Sequence, residues 1–285
     1  MPQARKDVRM AAEHVVIVGK GGVGRSTTAA NLSAALAEAG WRVMLVGYDP
    51  RWNSTATLKG SQKLEPVPHW GKELPAPLYA AGYMGSLCVE AGESTSEGRA
   101  ANAASLLQLP VVINYRPEFV IHDVSREMGH SFVMPIATEG VARLIVVTSA
   151  DMASIHVVNE LFAWINTVSA VDCRFYGVVV NNLTGPFYES MITDFVNQTG
   201  TSIVASVPHS LMVSVSDFLN QTLIEAAPHS HNTFVYRKLA RSLVEQTPLQ
   251  RPVALDKDKL NQWVMKWKDI ISEMETGIVR DGSNI

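Results

Sequence analysis

Gly19-Lys20-Gly21-Gly22-Val23-Gly24-Arg25-Ser26-Thr27 follows directly on the apolar run Val15 to Val18 and leads into a helix-like stretch. A strand, a glycine-rich loop and a helix in that order make a phosphate cradle. The glycines let backbone N–H groups face the anion, the helix N-terminus adds its positive end, and a Ser or Thr hydroxyl binds Mg²⁺. Gly19, Gly21, Gly22, Val23, Gly24, Arg25, Ser26 and Thr27 are therefore the candidate nucleotide-binding residues, with Ser26 on the metal. Arg25 departs from the Gly-x4-Gly-Lys-Ser/Thr pattern by standing at the lysine. It keeps the charge but presents a planar fork in place of a compact ammonium, which is not a conservative exchange at a tight site.

The elements that must hold this loop are legible from periodicity. Val15 to Val18, Val43 to Val46, Phe119 to Ile121, Leu144 to Val147 and Gly177 to Val180 are continuous apolar runs rich in β-branched residues, as for strands buried on both faces of a parallel sheet. Helical spacing fills the gaps between them, in Thr27 to Ala39 and in Ala153 to Val168. Alternation of this kind predicts a doubly wound, mostly parallel α/β sheet. Lys59 to Pro77, with four prolines, reads as a loop without a helix, and Gln246 to Pro252 as a break. The expected organisation is a tail at 1–13, a nucleotide-binding domain at 14–246 and a linker with an amphipathic helix at 247–285. On that last helix Leu260, Trp263, Val264, Trp267, Ile270, Ile271 and Met274 share one stripe. Packing on the core or a subunit is one reading of the stripe and docking to a membrane or partner the other; an excess of acids over bases weighs against a membrane.

The chain has 285 residues, 47% of them hydrophobic and 18% charged, which supports a sizeable core and excludes a disordered or fibrous protein. A formal net charge of −3 gives no reason to expect a nucleic-acid partner. With two cysteines, Cys88 and Cys173, and no long apolar run, the chain reads as cytosolic.

Lys20 places a second basic residue inside the loop, and at Lys20-Gly21-Gly22-Val23-Gly24 the sequence resembles the deviant Walker A ATPases. Further segments narrow the resemblance: Asp49-Pro50, Ser54-Thr55, Cys88-Val89-Glu90-Ala91-Gly92, Gly98-Arg99, Asp123-Val124, Met134-Pro135-Ile136, Val207-Pro208 and Tyr236-Arg237-Lys238-Leu239-Ala240 occur in order. Together they resemble the family of the nitrogenase iron protein and the ATP-binding subunit of dark-operative protochlorophyllide reductase. The resemblance implies a homodimer that binds two MgATP, senses the γ-phosphate through two switch segments and holds a [4Fe–4S] cluster between its subunits. It assigns Lys20 to the other subunit's nucleotide, and Asp49 and Asp123 to magnesium and the attacking water. It assigns Asn181 to the adenine edge, with Pro208, His209 and Asp217 around the base, hence ATP over GTP.

Departures from the pattern fall at the working positions. Ser96 and His130 stand where the family carries its cluster cysteines, so no cluster is expected. His130 is left as a structural histidine, a metal ligand or one half of a pH-sensitive pair across the dimer axis. Asn53 replaces a switch I aspartate and loses its charge, while Glu127 replaces one in switch II and can still orient or deprotonate water. Lys20, Asp49 and Glu127 are the candidate catalytic residues; Arg99 matches an exposed arginine of the family's docking face.

The expected protein is a homodimer that binds ATP, ADP and Mg²⁺, acts as a slow or non-hydrolysing nucleotide switch, and regulates or assembles a partner protein that the sequence leaves unidentified, a reductase-like one being one candidate. The alternative is an ATP-driven electron donor to a nitrogenase-like or chlorophyllide-type reductase. A third reading, a membrane-associated positioning ATPase, depends on the last helix.

Overall fold

The computed structural model describes residues 12–49, 51–67, 77–91, 106–124, 142–167, 173–245 and 251–277. Pro50, Gly92, Ser96, Gly98, Arg99, Glu127, His130 and Met134 to Ile136, like most of the expected tail, lie outside the described residues. The chain runs β1 (Glu13–Gly19), α1 (Arg25–Glu38), β2 (Val43–Gly47), α2 (Ala56–Lys59), β3 (Glu65–Pro66), β4 (Leu78–Ala81) and, after a 3₁₀ turn at Tyr83–Gly85, β5 (Leu87–Glu90). It continues through α3 (Pro110–Tyr115), β6 (Phe119–Asp123), β7 (Ala142–Thr148), α4 (Met152–Ile165), β8 (Cys173–Leu183) and α5 (Pro186–Gln198). The remaining elements are β9 (Ile203–Pro208), α6 (Leu211–Phe218), α7 (Leu223–Ala226), α8 (His231–Val244) and α9 (Lys257–Thr276).

The strands form one sheet in the order β3-β4-β5-β2-β6-β1-β7-β8-β9. Every pairing from β5 to β9 is parallel, and β3 and β4 add an antiparallel margin. Alternate residues of each central strand enter opposite cores. Val16 and Val18 face a core with Phe162 of α4, Phe195 of α5 and Trp263 of α9, whereas Val15 and Ile17 face Leu32 and Leu36 of α1 and Tyr236 of α8. Both faces are covered, which is why the strands read as unbroken apolar runs. The doubly wound parallel sheet is thus the observed architecture.

The stretch expected to be a plain loop at 59–77 contributes β3, whose Glu65 and Pro66 pair with Tyr79 and Leu78. Its prolines hid the strand, and an edge position is where a strand tolerates proline. Helix α9 packs on the same core as the rest of the chain through Trp263 and Trp267, while Met274 of the expected stripe is 62% exposed. The approach to α9 is pinned as well, since Asn159 on α4 both donates to the Leu255 carbonyl (2.9 Å) and accepts from its N–H (2.8 Å).

Trp267 Nε1 donates to Asp194 on α5 at 2.8 Å, beside Lys266 Nζ at 3.0 Å. Partial burial opposes the charge of Asp194, and the hydrogen bonds from Trp267, Lys266 and Gln198 outweigh it, holding the carboxyl below its ordinary range. Trp267→Phe keeps the ring packing and removes the donor, so it should destabilise the fold by about 1–3 kcal/mol. A urea midpoint that does not move would show that α9 is held by packing alone.

Candidate functional site

Strands β2, β6 and β1 are parallel neighbours whose carboxyl ends deliver the three chemical segments to one edge of the sheet. Asp123 ends β6, in register with Gly47 on one side and Ile17 on the other. The glycine loop leaves β1 at Gly19, and Asp49 follows β2 after one intervening residue. In open α/β sheets the crevice beyond the carboxyl strand ends is where ligands bind.

The loop has the features that an anion cradle needs. Gly24, at φ +86°, is the N-cap of α1 and supplies no side-chain cap. The helix therefore begins with N–H groups left for a ligand, and its first turn carries no acid to compete. Side chains at Gly21 and Gly22 would meet open space, so the loop is open at these two positions. Gly24 is required on two counts, its left-handed backbone and the Asn181 amide, into which a β-carbon would run.

Beneath the loop, Arg25 Nε donates to Asp123 Oδ1 at 2.9 Å, Arg25 Nη1 donates to the Gly19 carbonyl at 3.1 Å, and Ser26 Oγ donates to Asp123 Oδ2 at 2.6 Å. Asp123 is 1% exposed and Arg25 9%. The expected metal groups Ser26 and Asp123 are thus already in contact, with the cation of Arg25 holding the carboxylate. This chemistry fits Mg²⁺: a hydroxyl and a carboxylate are oxygen donors of the kind it takes, directly or through water.

Asp49 accepts from the Arg51 N–H through Oδ1 at 2.7 Å. Lys20 is half-buried, and its charge is one of the influences on Asp151, the N-cap of α4. Asn181, at the end of β8, donates through Nδ2 to the Val23 carbonyl at 2.9 Å. In this state the amide touches the phosphate loop rather than open space. His209 follows β9, with Nδ1 2.6 Å from Asn182 Oδ1, and the Pro208 carbonyl accepts from Asn232. Asp217 lies exposed on α6. The structure therefore joins Gly19, Arg25, Ser26 and Asp123 in one cluster and Val23, Gly24 and Asn181 in another.

Asn181→Ala should weaken nucleotide binding by about threefold to tenfold, because it removes a hydrogen bond worth about 1 kcal/mol that orders the loop. Calorimetric titration with MgADP measures this, and an unchanged affinity would make the contact incidental.

Sequence reasoning missed Glu90 as a site residue. It ends β5 beside Gly47 and is fully buried. Burial pushes its carboxyl up to about 7 against the two hydrogen bonds it accepts from Thr55, with the charges of Asp123 and Asp49 adding to the rise. The available signal was a carboxylate closing an apolar run, Leu87 to Glu90. A buried chain of Tyr48, His122 and His14 was missed too; these residues stand directly before Asp49, directly before Asp123 and near the start of β1.

The Cys88 thiol does not suit a cluster shared at a subunit boundary. Cys88 is buried inside β5 and its thiol is pushed up to about 12, chiefly by burial. Cys173 begins β8, at the opposite end of that strand from Asn181. These are the only cysteines in the chain.

A family model described as 4Fe-4S iron sulfur cluster binding proteins, NifH/frxC family, matches residues 13–270. Nitrogenase iron protein 2 of Paenibacillus durus is 32% identical over 280 residues, covering 94% of this chain and 96% of that protein. The nitrogenase iron protein of Methanospirillum hungatei is 31% identical, over 88% of this chain and 94% of its own length. Among solved structures, the MinD cell division protein of Aquifex aeolicus is similar at a TM-score of 0.64 with 17% identity, covering 84% of this chain and 100% of that one. Cobyrinic acid a,c-diamide synthase of Mycobacterium smegmatis, with bound ATP analog and magnesium, is similar at 0.61 with 16% identity, over 86% and 99%.

Proposed function

We propose a function from one premise, that the chain belongs to the NifH/frxC family of iron–sulfur cluster binding proteins: it is a homodimeric nucleotide switch that binds MgATP and MgADP, turns over slowly and acts on a partner protein without carrying a cluster. The cluster of Arg25, Ser26 and Asp123 beneath an open glycine loop carries this reading. Backbone N–H groups of residues 20–27 would hold the phosphates, and Ser26, Asp123 and Asp49 the magnesium. When bound, the metal neutralises charge on the β- and γ-phosphates. Arg25 supports slow turnover, because its fork is engaged by Asp123 and the Gly19 carbonyl and must be redirected before it can serve a phosphate. Asn53 and Glu127, in place of switch aspartates, support the same reading.

Loss of the cluster is supported by Ser96 and His130 at the expected thiolate positions, since neither holds iron–sulfur clusters as cysteine does. Among the described residues no helix is long and apolar enough to cross a membrane. The partner is proposed as reductase-like, because the relatives matched over most of the chain are nitrogenase iron proteins.

Calorimetry with MgATP and MgADP, with phosphate release followed in parallel, tests the proposal. Wild type should bind both and release phosphate slowly, and Arg25→Lys should be faster by about tenfold or more, as a compact ammonium replaces the engaged fork. Failure to bind either nucleotide would overturn the switch and leave the dimer surface as the working part. A second reading, the ATP-dependent electron donor, is favoured by the identity of those relatives. Anaerobically purified protein that is brown, with stoichiometric iron and sulfide, would establish it in place of the first.

A further inference from the structure

Among the described residues Glu90 is the buried acid without a basic partner. Its Oε1 accepts from both the N–H and the hydroxyl of Thr55, each at 2.7 Å, while Oε2 is enclosed and has no partner. Gly47 makes the approach possible, since a β-carbon there would collide with Oε2 and with the Ser54 side chain. A buried carboxyl in such a place is costly, and an apolar residue of the same size would pack more favourably. Its geometry offers a reason for keeping it.

Thr55 closes a short, tightly wound segment. Trp52 N–H bonds back to the Asp49 carbonyl at 3.0 Å with Trp52 at φ +58°, Ala56 N–H bonds to Asn53 at 3.2 Å, and Thr55 is the N-cap of α2. One end of this segment is Asp49 and the other is the carboxyl of Glu90. Glu90 is also in register with Gly47, which is in register with Asp123, so the grip is referenced to the strand that carries the metal-binding carboxylate.

We propose that Glu90 is a positioning residue that anchors residues 51–55 through Thr55 and so sets where Asp49 stands relative to Asp123 when the γ-phosphate is sensed. The proposal deepens the nucleotide reading above and rests on it for the sensing role, while the anchoring itself is independent of nucleotide.

Arg51 is exposed within the anchored segment, so trypsin cleavage after Arg51, identified by mass spectrometry on the full-length protein, reports the anchor. Without nucleotide, Glu90→Ala should be cut about tenfold faster or more and Thr55→Val, which keeps only the N–H, by a smaller factor, because hydrogen bonds to a carboxylate are lost. Glu90→Gln, whose amide oxygen still accepts, and Thr55→Ser should stay near wild type. Glu90→Ala is then compared with wild type in each nucleotide. The difference in Arg51 protection between MgATP and MgADP should disappear in that variant. Unchanged cleavage in both Glu90→Ala and Thr55→Val overturns the proposal, as does equal loosening in Glu90→Gln and Glu90→Ala. If Glu90→Ala does not fold, Thr55→Val against Thr55→Ser decides. A wild type that binds neither nucleotide defeats the switch reading alone, because the nucleotide-free cleavage rates still decide the anchor.

Discussion

Asp123→Ala is expected to lower the unfolding free energy by about 3–5 kcal/mol, because it leaves the Arg25 guanidinium buried without a counter-charge. Arg25 is 9% exposed and donates to Asp123 at 2.9 Å, and the Ser26 hydroxyl loses its acceptor in the same step. Removing both charges should behave differently. In Arg25→Met with Asp123→Leu nothing charged is left behind, and the cost should fall to about 1 kcal/mol or vanish. Both variants should lose MgATP binding, which would separate a part played by the pair in ligand binding from its part in stability. Urea unfolding without nucleotide, at fixed protein concentration, measures the difference. Equal destabilisation by the single and double variants would show that shape, not charge, makes these two positions sensitive.

Stability should rise with pH between about 4.5 and 6.5, and Glu90→Gln should make that rise steeper. Burial lowers His14 from 6.5 to about 4, and it lowers His122 well below 6.5, with His14 as a further cause. Their geometry suits the neutral form, since Tyr48 Oη lies 3.0 Å from His122 Nδ1 and His122 Nε2 lies 3.0 Å from His14 Nδ1. One donor and one acceptor on each ring satisfy the chain. In this interval the unfolded histidines carry protons that the folded ones refuse, so acid favours unfolding. Glu90 has the opposite sign: its carboxyl is raised from 4.5 to about 7, so here the folded state holds a proton that the unfolded state releases. Its stabilising contribution is complete below 4.5 and is lost as pH rises through about 7.

Each uncompensated proton is worth about 1.4 kcal/mol per pH unit. Two histidines against one carboxyl leave a net rise of stability with pH for wild type, and Glu90→Gln, which removes the opposing group, should show a steeper one. His122→Phe should flatten the profile. Urea unfolding at several pH values measures all three, and identical slopes for wild type and Glu90→Gln would mean that Glu90 titrates as an ordinary carboxyl.

The parallel sheet and the phosphate loop were legible because both are written in local order. Strands covered on both faces need unbroken apolar runs, and a cradle of backbone N–H groups needs glycines between a strand and a helix, as at Val15 to Thr27. Strand β3 was hidden because the prolines in and around it signal loop, and only pairing with β4 makes it a strand. Three facts were decided by the tertiary structure. Arg25 meets Asp123 across 98 positions, Asn181 meets Val23 across 158, and Glu90 meets Thr55 across 35. Neither member of any such pair announces the other, since a charge or an amide reads the same at the surface as in a core. Residue type and spacing therefore determined the doubly wound sheet and the glycine loop between its first strand and helix. Which side chains meet the loop, Asp123 and Thr55 followed only when parallel pairing brought the strand ends together and burial removed the water that would otherwise have satisfied them.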